Sequence, residues 1–574
     1  GEYVANIAVL HPTTVFWVDG FEQQQLARAF EDLCKDLTEN NWDYDLADEF
    51  MLESLGRVDG NTLCIGKAAY DVLILPEGVI LAPHTVKLIA EFVRAKGRVV
   101  VLGKPQTVRP EDQPILDSVL GRTELVTSGL ELQERLRALA DKVVSVRLRP
   151  TAGDYAEAKR PRIYTQVRKT DHGYLVFLAN VGEEDCASAL VTVTHTGSVV
   201  ALNPYDGRVY PVVYARENGG IQCELRFLQG ESYLLLVGQE VESLCERSLP
   251  PINVQRPLPS NSVLLGDWEV RPLDVNPLVL DYCSYRIGGG DFSPAMPIWD
   301  AYCRIRSYYG LATSLSNRDV QPWRRLQERR AITSDELIEV KLSFVVTNLA
   351  LCRTPVKLAI ESGEQYEVRV NGKSVKATAD YWLDPAFTLY DVTGCLIEGE
   401  NTVILATTFS EDLELENSFL LGGFSVTAKS VGEPNIADFA GKKLHLGDWT
   451  GQGYPFYAGK MEYSSVIHYQ ASDGIVELEI GNLYAQAVTV YVNDNEAGKI
   501  LFPPYRLDIT PWMQPGENAI RLVATNSLRN LTDPLHHVRV EFIAGPETFS
   551  DRNNWQDEYN LARQGIDKVR LLKW

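Results

Sequence analysis

Three short motifs recur in one order along the C-terminal half of the chain, and they restrict its fold more than any other feature. The first series is YEVRVNG (366–372), LYDVTGCL (389–396) and EGENTVIL (398–405). The second is VTVYVND (488–494), YRLDITPW (505–512) and PGENAIRL (515–522). Each series runs from an apolar strand ending in Val-Asn, through an aromatic strand carrying Asp, to Gly-Glu-Asn. Asp391 precedes Gly399 by eight positions, and Asp508 precedes Gly516 by eight. Asn-Gly and Asn-Asp are residues that close hairpins, and Gly-Glu-Asn makes a turn before a final core strand. Matched order and spacing predict an internal duplication whose period is that of a domain rather than of a solenoid.

The tetrapeptide LGDW precedes both series, at Leu265–Trp268 and Leu446–Trp449. It is read as the opening of each copy, with Asp267 and Asp448 accepting turn hydrogen bonds and Trp268 and Trp449 in the core. Trp268 lies 103 positions before Asn371, and Trp449 lies 44 before Asn493. The first copy therefore carries an extra segment, at about 275–335, in which Val320–Arg330 reads as helix.

The N-terminal region follows another rhythm. Ile7–Leu10, Val72–Leu75 and Val99–Leu102 are continuous apolar runs, as expected of parallel strands covered on both faces. Between them, Leu26, Phe30, Leu33 and Leu37, then Val86, Ile89, Ala90 and Val93, recur at helical spacing, with Gly97 placed as a stop. Trp42–Asp45 begins a second strand, and a further helix is expected near 130–142. This is the pattern of a doubly wound, flavodoxin-like α/β domain. From about 145 the period becomes two, in segments such as Ile163–Lys169, Gly173–Asn180 and Gln222–Phe227, which predicts a small antiparallel β-sandwich.

At 574 residues the chain is long enough for about three to five domains. The expected organisation is an α/β domain (1–143), a small β-sandwich (144–247), a Pro-rich linker (248–260), a jelly-roll β-sandwich with an insertion (261–432) and a second jelly roll with a C-terminal tail (433–574). The net charge of −22 argues against nucleic acid, whose recognition needs a basic footprint, and is compatible with neutral partners such as sugars. No apolar run approaches the ~18 residues of a membrane span. Nine cysteines without a C-x-x-C pair point to reduced, mostly buried thiols and a cytoplasmic setting.

The V-x-V-N-G, Asp-x-Thr and G-E-N series resembles the galactose-binding-type jelly rolls attached to many glycoside hydrolases. Longer stretches narrow the resemblance. NPLVLDYCSYR (276–286), DLELENSFLLGGFSV (412–426) and GDWTGQGYPFYAGKMEY (447–463) resemble the C-terminal half of large rhamnosidase-type glycoside hydrolases, family 106 and its relatives. The opening GEYVANIAVLHPTT resembles the strand that follows their catalytic barrel, and the α/β region is similar to their amidotransferase-like domain. The resemblance implies catalytic carboxylates on an upstream (β/α)8 barrel, so no catalytic position is carried onto this chain. It implies an accessory, non-catalytic region that shapes the substrate cleft and binds carbohydrate, with carbohydrate and that barrel as partners and room for a homo-oligomer. A free-standing carbohydrate-binding or structural protein is the first alternative. A complete glycoside hydrolase with an inter-domain site is the second, and a buried carboxylate pair in a cleft would speak for it.

Candidate sugar contacts are weighed against packing roles. Trp449, Tyr454, Phe456 and Tyr457 form an aromatic group in a Gly- and Pro-containing loop, suited to stacking on sugar C–H faces or to capping a sandwich. Trp382 and Asp384 lie between the Asn371 turn and the Asp391 strand, where jelly rolls present ligand loops. His536 and His537 are adjacent, hence on opposite sides of a strand and poorly placed as joint metal ligands. Pro76-Glu77-Gly78 follows the Val72–Leu75 strand where an amidotransferase elbow would carry Cys, while Cys34 and Cys64 lie elsewhere. Gly288–Gly290 lacks the Lys-Ser/Thr of a phosphate loop. No metal or cofactor motif is present, and none is expected.

Overall fold

The computed structural model describes every residue outside 17–22, 122–124, 150–160, 205–206, 218, 246–250, 253–260, 312–331, 431–432, 471–473, 533, 539–551 and 574. The helix expected at Val320–Arg330 lies outside the described residues. The chain divides into two compact units, residues 1–256 with 502–504, and residues 257–501 with 505–574.

The first unit opens with a four-stranded parallel sheet of β1 (Ile7–Leu10), β2 (Tyr44–Ala47), β3 (Val72–Leu75) and β4 (Arg98–Val101), in the order β2-β1-β3-β4. Every side chain of β1 and of β3 is buried. Helices cover both faces: α1 (Gln23–Glu39) and α5 (Gly129–Leu139) on one, α2 (Glu49–Leu55), α3 (Pro83–Arg94) and α4 (Gln113–Leu120) on the other. The doubly wound pattern thus matches the periodicity. The stop after α3 works differently from a left-handed Gly97. Lys96 takes the positive φ (65°), and Gly97 is needed because a Cβ there would lie 2.2 Å from the Phe92 ring.

The remainder of this unit is a β-sandwich. One sheet orders Glu2–Tyr3, Ile163–Thr170, Gly173–Asn180, Ser232–Gly238, Ser198–Leu202 and Val209–Pro211. The other orders Val144–Leu148, Cys186–Val193, Gly220–Phe227 and Ala215–Glu217. Their alternating inward residues, among them Val167, Val176, Val191 and Leu225, form one core.

The second unit holds two sandwiches built on one plan. In chain order its main strands are β5 (Asn261–Leu264), β6 (Glu269–Pro272), β7 (Asn276–Leu280), β8 (Tyr282–Ile287), β9 (Thr333–Thr347), β10 (Lys357–Glu361), β11 (Glu367–Val370), β12 (Lys373–Ser374), β13 (Asp384–Asp391), β14 (Gly399–Ser410), β15 (Ser418–Gly422), β16 (Lys460–Tyr469), β17 (Val476–Ile480), β18 (Ala487–Val492), β19 (Asn495–Ile500), β20 (Arg506–Asp508), β21 (Gly516–Thr525) and β22 (Val569–Lys573). One sandwich pairs β7-β15-β10-β13 in one sheet and β8-β9-β14-β11-β12 in the other. The second pairs β5-β22-β17-β20 and β6-β16-β21-β18-β19. Strand for strand the orders coincide, as the duplication requires.

The recurring motifs do the same work in both. Asn371 and Asn493 take left-handed conformations (φ 48° and 51°). Asn371 Nδ2 donates to Asn401 Oδ1 at 2.8 Å, and its Oδ1 accepts from the Thr402 amide at 2.9 Å. Asn493 repeats this with Asn518 Oδ1 (2.9 Å) and the Ala519 amide (3.0 Å). Asp391 Oδ1 accepts from the amide and hydroxyl of Thr393, as Asp508 Oδ1 does from Thr510. Each Thr hydroxyl in turn accepts from the amide that leads into the neighbouring strand, Val356 or Val476. The motifs fasten turns to strands, which is why they recur with fixed spacing.

The tetrapeptide is a correction. LGDW does not open each copy: β5 and β6, which flank the first occurrence, pair with β22 and β16 of the second sandwich. Trp268 and Trp449 lie in that one core. Residues 261–272 therefore belong with the second sandwich, and the first is inserted between its second and third strands. The expected roles also split. Asp448 Oδ1 accepts from Thr450 and from the Gln564 amide, whereas the Asp267 carboxylate, at φ 40°, makes no hydrogen bond among the described residues.

Candidate functional site

The aromatic group weighed between sugar stacking and packing is spent on packing. Trp449 is 1% exposed and donates its indole N–H to Gln564 Oε1 at 3.1 Å. Tyr457 meets it edge-on at 5.9 Å, donates its hydroxyl to the Lys460 carbonyl at 2.6 Å, and touches Tyr454 at 5.6 Å. These three rings lie in the core of the second sandwich, while Phe456 enters that of the first, against Tyr559 at 4.9 Å. With Trp449, Phe456 and Tyr457 at 0–1% exposure, no ring face remains for a ligand. The loop ties two cores together.

His536 and His537 are buried too, His536 in a turn and His537 in an isolated β-bridge with Trp555. His536 Nε2 lies 3.2 Å from Asp281 Oδ2 and Nδ1 3.2 Å from the Gln556 carbonyl. Trp555 stacks on the ring at 4.8 Å. Tyr559 donates to Asp281 Oδ1 at 2.8 Å and accepts from Asn435, and burial with the Asp281 charge raises its hydroxyl well above the usual range. Asn554 lies 3.3 Å from Nδ1 of His537. This closed network holds the C-terminal segment to the start of the first sandwich.

Trp382 and Asp384 lead to a different chemistry. Trp382 ends the edge strand Ala377–Trp382 and covers Phe387 (5.7 Å) and Phe419 (5.2 Å). Asp384 accepts from the Ala386 amide at 2.7 Å, which closes the hairpin around left-handed Leu383. Phe387 stands opposite Glu361, and Glu361 is hydrogen-bonded to Glu416. Glu414 adjoins the pair and accepts from the Ser362 hydroxyl at 2.6 Å. Burial, then the charge and hydrogen bond of Glu361, push Glu416 up to about 8. Burial and the charges of Glu414 and Asp384 raise Glu361, against the lowering effect of its bond to Glu416. The pair therefore shares a proton at neutral pH. The signal in sequence was the alternation of DLELEN, where Leu413 and Leu415 point into the core and Glu414 and Glu416 away from it.

Glycoside cleavage uses carboxyls about 5–5.5 Å apart, or about 6.5–9.5 Å for inversion. Two carboxyls bonded to each other have no room between them for a sugar carbon or a water. Among the described residues no group of three or more His, Cys, Asp or Glu is arranged to hold a metal, and no helix is long and apolar enough to cross a membrane.

In the α/β domain, Pro76-Glu77-Gly78 follows β3 as the sequence indicated, Cys34 lies on α1, and Cys64 is buried on the strand Thr62–Ile65. At the carboxyl ends of β1 and β2, Thr13 donates to Asp48 Oδ2 at 2.6 Å, so Nδ1 of His11, 2.8 Å away, donates to the Thr13 oxygen. All nine cysteines are free thiols.

No protein-family model matches the chain, and neither does any curated protein. Solved structures do resemble it at low identity. A rhamnosidase from Novosphingobium sp. PP1Y aligns at 12% identity over 99% of this chain and 39% of its own, with a TM-score of 0.44. α-L-Fucosidase isoenzyme 2 from Paenibacillus thiaminolyticus aligns at 12% over 42% and 49%, with a TM-score of 0.26. A β-galactosidase from Rahnella sp. R3 aligns at 13% over 41% and 41%, with a TM-score of 0.21. In each case the chain spans less than half of the neighbour's length.

Proposed function

We propose that this chain is the accessory region of an α-L-rhamnosidase-type glycoside hydrolase, working beside a (β/α)8 catalytic barrel whose substrate cleft it shapes, and binding carbohydrate itself. The observation that carries the reading is the pair of jelly rolls with identical strand order and identical Asn, Asp-x-Thr and Gly-Glu-Asn fastenings. Those motifs also carry the resemblance to galactose-binding-type domains. The α/β domain, with no Cys at its elbow, serves as scaffold or interface in an amidotransferase-like frame, and free thiols accord with a cytoplasmic setting. The test is hydrolysis of aryl glycosides, including the α-L-rhamnoside, by this chain with and without an added barrel segment. Activity only with the barrel supports the reading, and turnover by the 574 residues alone overturns it.

One observation favours a complete hydrolase. Glu416, pushed up to about 8, keeps a proton at neutral pH, as a general acid must. Its direct bond to Glu361 weighs against that role. If the chain alone turned over a glycoside, Glu416→Gln would abolish the activity only if this pair were the acid.

A further inference from the structure

A groove of about 330 Å³ lies on the outward face of the five-stranded sheet of the second sandwich. The strand register builds it. Glu269 on β6, Ser464 on β16, Arg521 on β21 and Tyr491 on β18 stand opposite one another across four neighbouring strands. Their chain neighbours Tyr463, Leu522 and Val490 point into the core, so this row points out.

Arg521 is held in place before any ligand arrives. Its guanidinium lies 3.8 Å over the Tyr491 ring, and Nη1 lies 3.7 Å from Glu462 Oε2. Glu462 is itself buried and fixed by Arg271 at 2.7 Å. One third of the Arg521 side chain stays open to the groove. The other polar groups have no internal work: the carboxylates of Asp267, Glu269 and Asp494 and the hydroxyl of Ser464 make no hydrogen bond or ion pair among the described residues. Asp267 is the telling case. Its namesake Asp448 accepts three hydrogen bonds in a turn, while Asp267, with a left-handed backbone, makes no side-chain hydrogen bond among the described residues and lines the groove. Val466, 66% exposed, adds an apolar wall.

The groove offers three carboxylates, a hydroxyl and one oriented guanidinium. A polyol satisfies that set, because each hydroxyl donates to a carboxylate and accepts from the guanidinium. The surplus of negative charge repels uronate, sulfated and phosphorylated sugars. The volume falls at the small end of ligand pockets, about 300–1,000 Å³, and suits a single ring. We propose that this groove is a subsite for one neutral pyranose ring of a glycan, contacted by Arg521, Ser464, Glu269 and Asp267. The inference rests on the carbohydrate-binding part of the accessory reading and adds where the sugar sits.

The test is titration of the full chain with methyl α-L-rhamnoside, methyl β-D-galactoside and methyl α-D-mannoside, followed by saturation-transfer NMR and calorimetry. Saturable binding of at least one is expected. Glu269→Gln and Ser464→Ala, both surface changes, should weaken it by about tenfold each. Asp384→Asn on the other sandwich should leave it unchanged. Unaltered thermal unfolding shows that the groove variants are folded. Absence of saturable binding to all three glycosides overturns the proposal, as does binding that the groove variants leave intact. Binding of methylammonium or calcium at the groove in place of the glycosides also overturns it. Loss of the subsite leaves the barrel-complementation result untouched, so the two ideas fail separately.

Discussion

Replacing Glu416 by Gln should stabilise the second unit at neutral and alkaline pH. Glu416 is buried and hydrogen-bonded to Glu361, and its proton affinity rises from 4.5 to about 8. A carboxyl raised in the folded state favours folding fully only below its unfolded value. That stability drains as pH climbs through the folded value. The loss is about 1.4 kcal/mol for each pH unit between the two. From 4.5 to 7 this comes to about 3 kcal/mol, an upper figure because Glu361 and Glu416 share one proton and solvent relaxes around them. Gln cannot ionise, and its amide still donates to the Glu361 carboxylate. The assay is thermal unfolding of wild type and Glu416→Gln at pH 5, 7 and 8.5. The variant should match wild type at pH 5 and melt several degrees higher at pH 8.5, at about 2–4 °C per kcal/mol for a unit of this size. A Tm difference that is the same at all three pH values would refute the shared-proton argument.

Three further substitutions probe the framework. Asn371→Ala and Asn493→Ala each remove one side chain that both donates and accepts within a turn, and each should cost about 2–4 kcal/mol; unequal losses in urea unfolding would deny their equivalence. His536→Ala leaves the Asp281 carboxylate buried without its imidazole partner and should cost about 3–5 kcal/mol, read as a lower Tm, whereas Asp384→Asn should move Tm by less than a degree or two. Gly97→Ala drives a methyl group into the Phe92 ring and should cost about 1–3 kcal/mol in the first unit only, which differential scanning calorimetry resolves as a shift of one transition.

The parallel strands of the α/β domain were legible because strands covered on both faces become unbroken apolar runs, as in Val72–Leu75. The twin sandwiches were legible because the Asn and Asp-x-Thr fastenings are local, each spanning a few residues. Pairing was not. Alternation says which face a residue occupies and is silent on which strand lies alongside, so nothing near Glu269–Pro272 announces that its partner is Lys460–Tyr469. The aromatic loop stayed ambiguous for a related reason, since a ring that stacks on sugar and a ring that fills a core look alike in sequence. Glu416 was hidden because DLELEN reads as a strand with one wet face, while Trp382 and its hairpin cover the neighbours of that face. His536 and Asp281 meet across 255 positions, a distance over which sequence carries no pairing signal.

The nesting of one sandwich in the other explains both the unequal copies and the repeated tetrapeptide. In the second sandwich, β6 and β16 are neighbouring antiparallel strands, with Pro272 opposite Met461. The inserted chain leaves and returns at one point: the Leu273 amide donates to the Lys460 carbonyl at 2.9 Å, and the Lys460 amide donates to Asp274 Oδ2 at 2.8 Å. Gly459 stands so close that a Cβ would lie 2.7 Å from the same carboxylate. The equivalent strands of the first sandwich, β8 and β9, are joined by the segment that contains the helix Ile298–Tyr308. The same connection is thus enlarged in both sandwiches, by a helix-bearing loop in one and by a whole domain in the other. A hairpin tolerates this because its register is set by the pairing of its arms, and loop-closure entropy grows only slowly with loop length. LGDW stands directly before β6 and again shortly before the chain returns to β16, both times within a single sandwich. Its two tryptophans fill one core, and its two aspartates part company: Asp448 is bonded within a turn, and Asp267, with no side-chain hydrogen bond among the described residues, lines a groove.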